Sequence, residues 1–119
     1  MLEQVIMINE DNYPLIFARR NTRFWMDMIG FDCLKGQSAH QPLTFNMVRF
    51  NRAHYNLICT ERDLKLWCNI GMKPHRAWKV SDVKKYFGLT GSKQTIFPRF
   101  MALKEEYKRL LEDIRSLNN

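Results

Sequence analysis

From Ile96 to Leu117 the apolar positions Ile96, Phe100, Leu103, Tyr107, Leu110, Ile114 and Leu117 recur in steps of four and three. That spacing lines them up on one stripe of a long C-terminal helix. Pro98 must then lie in its first turn or mark a kink, because an interior proline costs about 3 kcal/mol. Upstream, Phe24, Trp25, Met28 and Ile29 also follow helical spacing, from a cap at Asn21 or Thr22 to a stop at Gly30. A third helix is expected from Ser81 as cap to Gly88, with Val83, Tyr86 and Phe87 on one face and Lys84 and Lys85 on another.

Other stretches read as strands. Val5 to Ile8 is β-prone, Asn9 to Asn12 turn-forming, and Pro14 to Phe17 apolar again, which predicts a hairpin. Gly36 to Pro42 has loop composition. Leu43 to Phe50 then alternates with period two, and Tyr55 to Cys59 follows the polar link Asn51 to His54, a second predicted hairpin. Thr60 is the expected cap of a helix that turns Leu64, Trp67, Cys68 and Ile70 to the core and ends at Gly71. Strands followed by helices predict an α+β fold, a small antiparallel sheet of two hairpins with a helical C-terminal third. At 119 residues with 45% hydrophobic content the chain is expected to be a single domain, residues 1–119, divided into an α+β scaffold (1–72) and a basic helix-turn-helix portion (73–119).

Charge sharpens that division. Residues 1–72 hold eight basic and seven acidic side chains, whereas residues 73–99 hold Lys73, Arg76, Lys79, Lys84, Lys85, Lys93 and Arg99 against Asp82 alone. Almost all of the net +7 therefore sits in one stretch, the asymmetry expected where a polyanion is met. A basic, solvated face is the plainer account of the same residues. The odd cysteine count, Cys33, Cys59 and Cys68, fits a reducing compartment, and no signal peptide or membrane-length apolar run is present, so a cytoplasmic protein is expected.

Candidate chemistry is sparse. Cys59, Cys68 and His75 match no zinc spacing, no phosphate-cradling glycine loop occurs, and the carboxylate pairs Glu61/Asp63 and Glu105/Glu106 point to different helix faces. No metal, cofactor or catalytic residue is expected, and the chain reads as a non-enzyme. Ser92 and Lys93, at a glycine-flanked helix start, offer a phosphate site that Lys84, Lys85 and Arg99 would extend. Trp78, between Arg76 and Lys79, reads either as a pin holding its loop to the core or as an exposed residue on which a base stacks.

Residues 78–100 resemble the SAP family of DNA-binding helix-turn-helix modules, through Val83-Lys84 in the first helix, Gly88-Leu89 in the turn, and Gly91-Ser92-Lys93 with Ile96 to Phe100 opening the second. The resemblance implies contact with DNA through Lys84, Lys93 and Arg99 around a small core of Val83, Phe87, Leu89, Ile96 and Phe100. A generic helix-turn-helix is an equal analogy. The expected function is therefore a nucleic-acid-binding accessory or regulatory protein, DNA before RNA, using Lys73, Arg76, Trp78, Lys79, Lys84, Lys85, Ser92, Lys93 and Arg99. The alternative is a protein-interaction module or small inhibitor of a nucleic-acid enzyme that presents its charge to an acidic partner. No membrane partner is expected. The 96–117 stripe would pack inside the monomer or pair two copies in a homodimer.

Overall fold

The computed structural model describes residues 8–29 and 51–117. Five helices occur there: α1 (Pro14–Phe17), α2 (Arg23–Ile29), α3 (Arg52–Ile70), α4 (Val80–Phe87) and α5 (Ile96–Leu117). The described residues contain no strand, so the expected α+β fold with two hairpins is corrected to a helical one. The predicted strand at Leu43 to Phe50 lies outside the described residues.

Helix α5 forms as its spacing predicts. Ile96, Phe100, Leu103, Tyr107, Leu110 and Ile114 are each at most 1% exposed, and Pro98 sits in the first turn. The stripe packs against α3 and α1 within one chain, so a homodimer through this stripe would find no face left to bury. On α3 the inward positions are Ala53, Leu57, Thr60 and Leu64, again in steps of four and three. Helix α2 lies on both α3 and α4. Phe24 of α2, Phe87 of α4 and Phe100 of α5 meet in sequence, with ring centroids 5.2 Å and 5.4 Å apart, and Tyr107 stands 6.0 Å from Phe24. Each such ring contributes roughly 1.5–3 kcal/mol by leaving water, and together they join α2 to α4 and α5.

Two expected strands are helical for identifiable reasons. Asn51 caps α3, its Oδ1 accepting the His54 N–H at 2.9 Å while its amide donates to the Met28 carbonyl at 2.7 Å. The supposed hairpin link is thus the first turn of a 19-residue helix, which absorbs Tyr55 to Cys59 and leaves Thr60 buried in its interior rather than capping it. Asn9 to Asn12 does turn, through side-chain bonds to backbone N–H groups, but the chain then enters α1 with Pro14 at its start. Tyr13 provides no side-chain cap; the Glu106 carboxylate, on α5, instead accepts from the Leu15 and Ile16 N–H groups at 3.2 and 2.5 Å. A buried acid from a distant helix satisfies donors that the local sequence leaves open.

The stops read more simply. Thr22 accepts the Trp25 N–H at 3.2 Å and opens α2 as expected. Gly71 and Gly88 end α3 and α4 with φ of 82° and 65°, the left-handed conformation in which a side chain is strained. A Cβ on Gly88 would also stand 2.7 Å from the Thr22 methyl, so this turn requires glycine twice over. Among the described residues no helix is long and apolar enough to cross a membrane.

Candidate nucleic-acid interface

The basic stretch starts where α3 stops. The Gly71 N–H returns to the Trp67 carbonyl at 3.0 Å, and the chain runs through an exposed loop that carries Lys73 and Arg76. It closes on Trp78, whose N–H donates to the His75 carbonyl at 3.1 Å and whose ring lies 5.6 Å from Trp67. Trp78 is 7% exposed. Of its two readings the pin is the one seen, because a base could stack on this ring only after the loop had left the core.

Lys79 is exposed at the N-cap of α4, where it makes no side-chain cap. Ser81, expected as the cap, falls inside the first turn of the helix and faces solvent. Lys84 and Lys85 occupy the last turn, where their charge favours the negative end of the helix dipole. Lys85 is exposed and Lys84 half-buried. The N–H groups of Gly88 and Leu89 both return to the Lys84 carbonyl, which ends the helix and turns the chain towards α5.

The start of α5 differs from the expected open phosphate cradle. The Ser92 N–H donates to Thr95 Oγ1 at 2.9 Å, and the Ser92 carbonyl accepts from Thr95 and Ile96, so this backbone caps its own helix. Arg99 donates through Nη1 to the carbonyl and hydroxyl oxygens of Thr90, at 2.9 and 3.0 Å, and so braces the turn. Lys93 reaches back to the end of α3, where its ammonium lies 5.1 Å from the centre of the Trp67 ring. Burial raises the neighbouring Cys68 thiol pKa, and the Lys93 charge opposes that rise. Nothing in the local sequence announces this contact, which joins residues 26 positions apart.

None of the seven cations forms an ion pair with the described residues, although Asp82 lies among them. Lys93 and Arg99 hold structural positions, which leaves Lys73, Arg76, Lys79, Lys84 and Lys85 as the five of these seven with neither an ion pair nor a structural contact among the described residues. Elsewhere several acids are paired: Arg23 with Asp27 at 3.1 Å, Lys65 and Lys104 with Glu61, and Arg109 with Glu106 at 3.9 Å. The small core implied by the SAP likeness, Val83, Phe87, Leu89, Ile96 and Phe100, is buried throughout. Among the described residues no three His, Cys, Asp or Glu side chains cluster as a metal site would require. Comparison with protein-family models, with curated proteins and with solved structures returns no match, so the SAP-like reading stands on these residues alone.

Proposed function

We propose that this chain is a nucleic-acid-binding accessory or regulatory protein of the cytoplasm, taking DNA before RNA, that meets the phosphate backbone with the loop after α3 and with α4. One observation carries the reading: five basic side chains within thirteen residues, Lys73 to Lys85, form no ion pair with the described residues, whereas Asp27, Glu61 and Glu106 elsewhere are each paired with a cation. An unpaired surface cation gains little within its own chain, but on a polyanion it releases condensed counterions. The contact is backbone-directed, because the α5 start that would read bases in a helix-turn-helix is engaged in bracing its own turn. Lys93 and Arg99 then act as positioning residues for that surface. The reading assigns no catalytic centre and no cofactor.

Fluorescence-anisotropy titration with labelled duplex DNA, single-stranded DNA and RNA at several salt concentrations tests it. We expect duplex DNA to bind in the micromolar range at low salt. Replacing all five of these cations with Gln should flatten the slope of log K against log salt by up to about 4.5, near 0.9 for each phosphate no longer neutralised. No binding to any of the three nucleic acids at low salt would sink the reading. It would favour the alternative, a protein-interaction module or inhibitor that presents these cations to an acidic partner.

A further inference from the structure

The loop between α3 and α4, residues 71–79, carries Lys73, Arg76 and Lys79, three of the five cations of the proposed interface, yet little holds it in place. Every residue in it is exposed except Pro74, which is half-buried, and Trp78, which is buried. A segment with so few buried contacts opens at low cost, and whatever opens must be ordered again when a ligand is met. Trp78 is therefore the anchor of the loop. What Trp78 rests on decides how firmly the three cations are set.

Its ring meets that of Trp67 in the last turns of α3, with centroids 5.6 Å apart and planes tilted by 54°, within the range over which aromatic rings attract. Trp67 is in turn held from the approach to α5. The Lys93 ammonium lies 5.1 Å from the centre of its ring, and 3.8 Å from the point where a side chain on Gly71 would begin. The end of α3, the end of the loop and the approach to α5 thus meet at one indole.

We propose that Trp67, an uncharged residue outside the basic stretch, is a positioning residue for nucleic-acid binding, fixing the cationic loop through Trp78 while Lys93 steadies the indole. The role rests on the nucleic-acid reading. Charge decides how many phosphates the loop neutralises, and the tryptophan pair decides how much ordering the loop still needs when it meets them. Salt separates the two. The slope of log K against log salt follows the phosphates neutralised, so removing a cation flattens it, whereas loosening the loop lowers affinity alike at every salt concentration.

Fluorescence anisotropy of the whole chain with labelled duplex DNA, across a range of salt, compares the original with Trp67→Leu, Trp67→Phe and Lys93→Met. We expect Trp67→Leu to bind about tenfold more weakly throughout, equivalent to about 1.4 kcal/mol or the backbone ordering of one residue, with the slope unchanged. Trp67→Phe keeps a ring against Trp78 and should recover most of that loss. Lys93 is exposed, so Lys93→Met tests the junction without touching the core, and about twofold weaker binding at the same slope is expected. Hydrogen exchange at the Trp78 amide should quicken in Trp67→Leu while the amides of α5 stay protected, which tells a loosened loop from an unfolded chain.

An original chain that binds DNA but loses nothing on Trp67→Leu overturns the positioning role and leaves the nucleic-acid reading standing. An original chain that binds no DNA overturns both. A slope that flattens in Trp67→Leu or Lys93→Met also overturns the role, since phosphate contacts would then have been removed instead of loosened. So does a Trp67→Phe chain that binds no better than Trp67→Leu.

Discussion

The charged residues around α5 and those between α3 and the start of α5 belong to different regimes. Around α5, three acids are bonded to other helices and two of them, Asp27 and Glu106, are buried: Glu106 closes the N-terminus of α1, Asp113 accepts from the Tyr13 hydroxyl, and Asp27 holds both Arg23 and the Tyr86 hydroxyl. Between residues 73 and 85 five cations, four of them exposed, form no ion pair with the described residues, although Asp82 lies among them. The first set fixes where helices sit relative to one another. The second bonds to no other helix and forms no ion pair with the described residues, which leaves its charge turned towards solvent. The comparison predicts that substitutions in the first region act on stability and those in the second on binding.

The largest effect should come from the aromatic cluster that the first region frames. Phe100→Ala removes a ring that is fully buried against Phe87, and chemical denaturation should show a loss of about 3–5 kcal/mol, enough to unfold a marginal domain. Next comes Glu106→Ala. It leaves the Leu15 and Ile16 N–H groups without their acceptor in a part-buried site, so a loss of about 2–3 kcal/mol is expected, with hydrogen exchange speeding up first in α1. A Glu106→Ala protein as stable as the original would show that the buried acid is not what orders α1.

How much of this is legible in the sequence depends on whether the determining contact is local. The α5 stripe, the Thr22 cap and the glycine stops at 71 and 88 are written in neighbouring residues, and the structure agrees with each. Helix α3 is not, and the reason is physical. Its outer face carries Tyr55 and Ile58 beside the inward Ala53 and Leu57, so apolar residues nearly fill the window and mimic a strand. Both of the misleading residues are exposed. For α1 the deciding partner, Glu106, is ninety residues from Ile16, beyond any local pattern. At the candidate interface the sequence locates the cations but cannot separate Lys73 to Lys85 from Lys93 and Arg99, because the roles of the latter depend on Trp67 and Thr90.

Tyr86 tests the first regime through pH. Burial, and then its hydrogen bond to Asp27, raise the phenol pKa above its ordinary value near 10. Above that pH the unfolded chain gives up the phenolic proton while the native chain keeps it, so the unfolded state binds fewer protons and stability falls as pH rises. Tyr86→Phe should cost about 1–2 kcal/mol at neutral pH, by loss of a bond to a charged acceptor. That difference should shrink as pH climbs past about 10, the unfolded value. Denaturation midpoints of both proteins across the alkaline range, with tyrosinate absorbance followed alongside, measure it. A cost that stays constant through that range would mean the Tyr86 phenol ionises alike in both states.

The smallest effect on stability is expected from the substitutions with the largest expected effect on binding. Replacing Lys73, Arg76, Lys79, Lys84 and Lys85 with Gln removes no ion pair among the described residues, and four of the five side chains are exposed. Each change should stay within about 0.5 kcal/mol, and relief of mutual repulsion opposes the loss of favourable charge at the end of α4. Thermal denaturation of the five-residue variant beside the original chain decides the matter. Equal midpoints with a flattened salt dependence of DNA binding would place these cations outside the folding problem and inside the recognition one. A marked fall in the midpoint would show instead that they support the loop after α3, and the contrast between the two regions would then be one of degree.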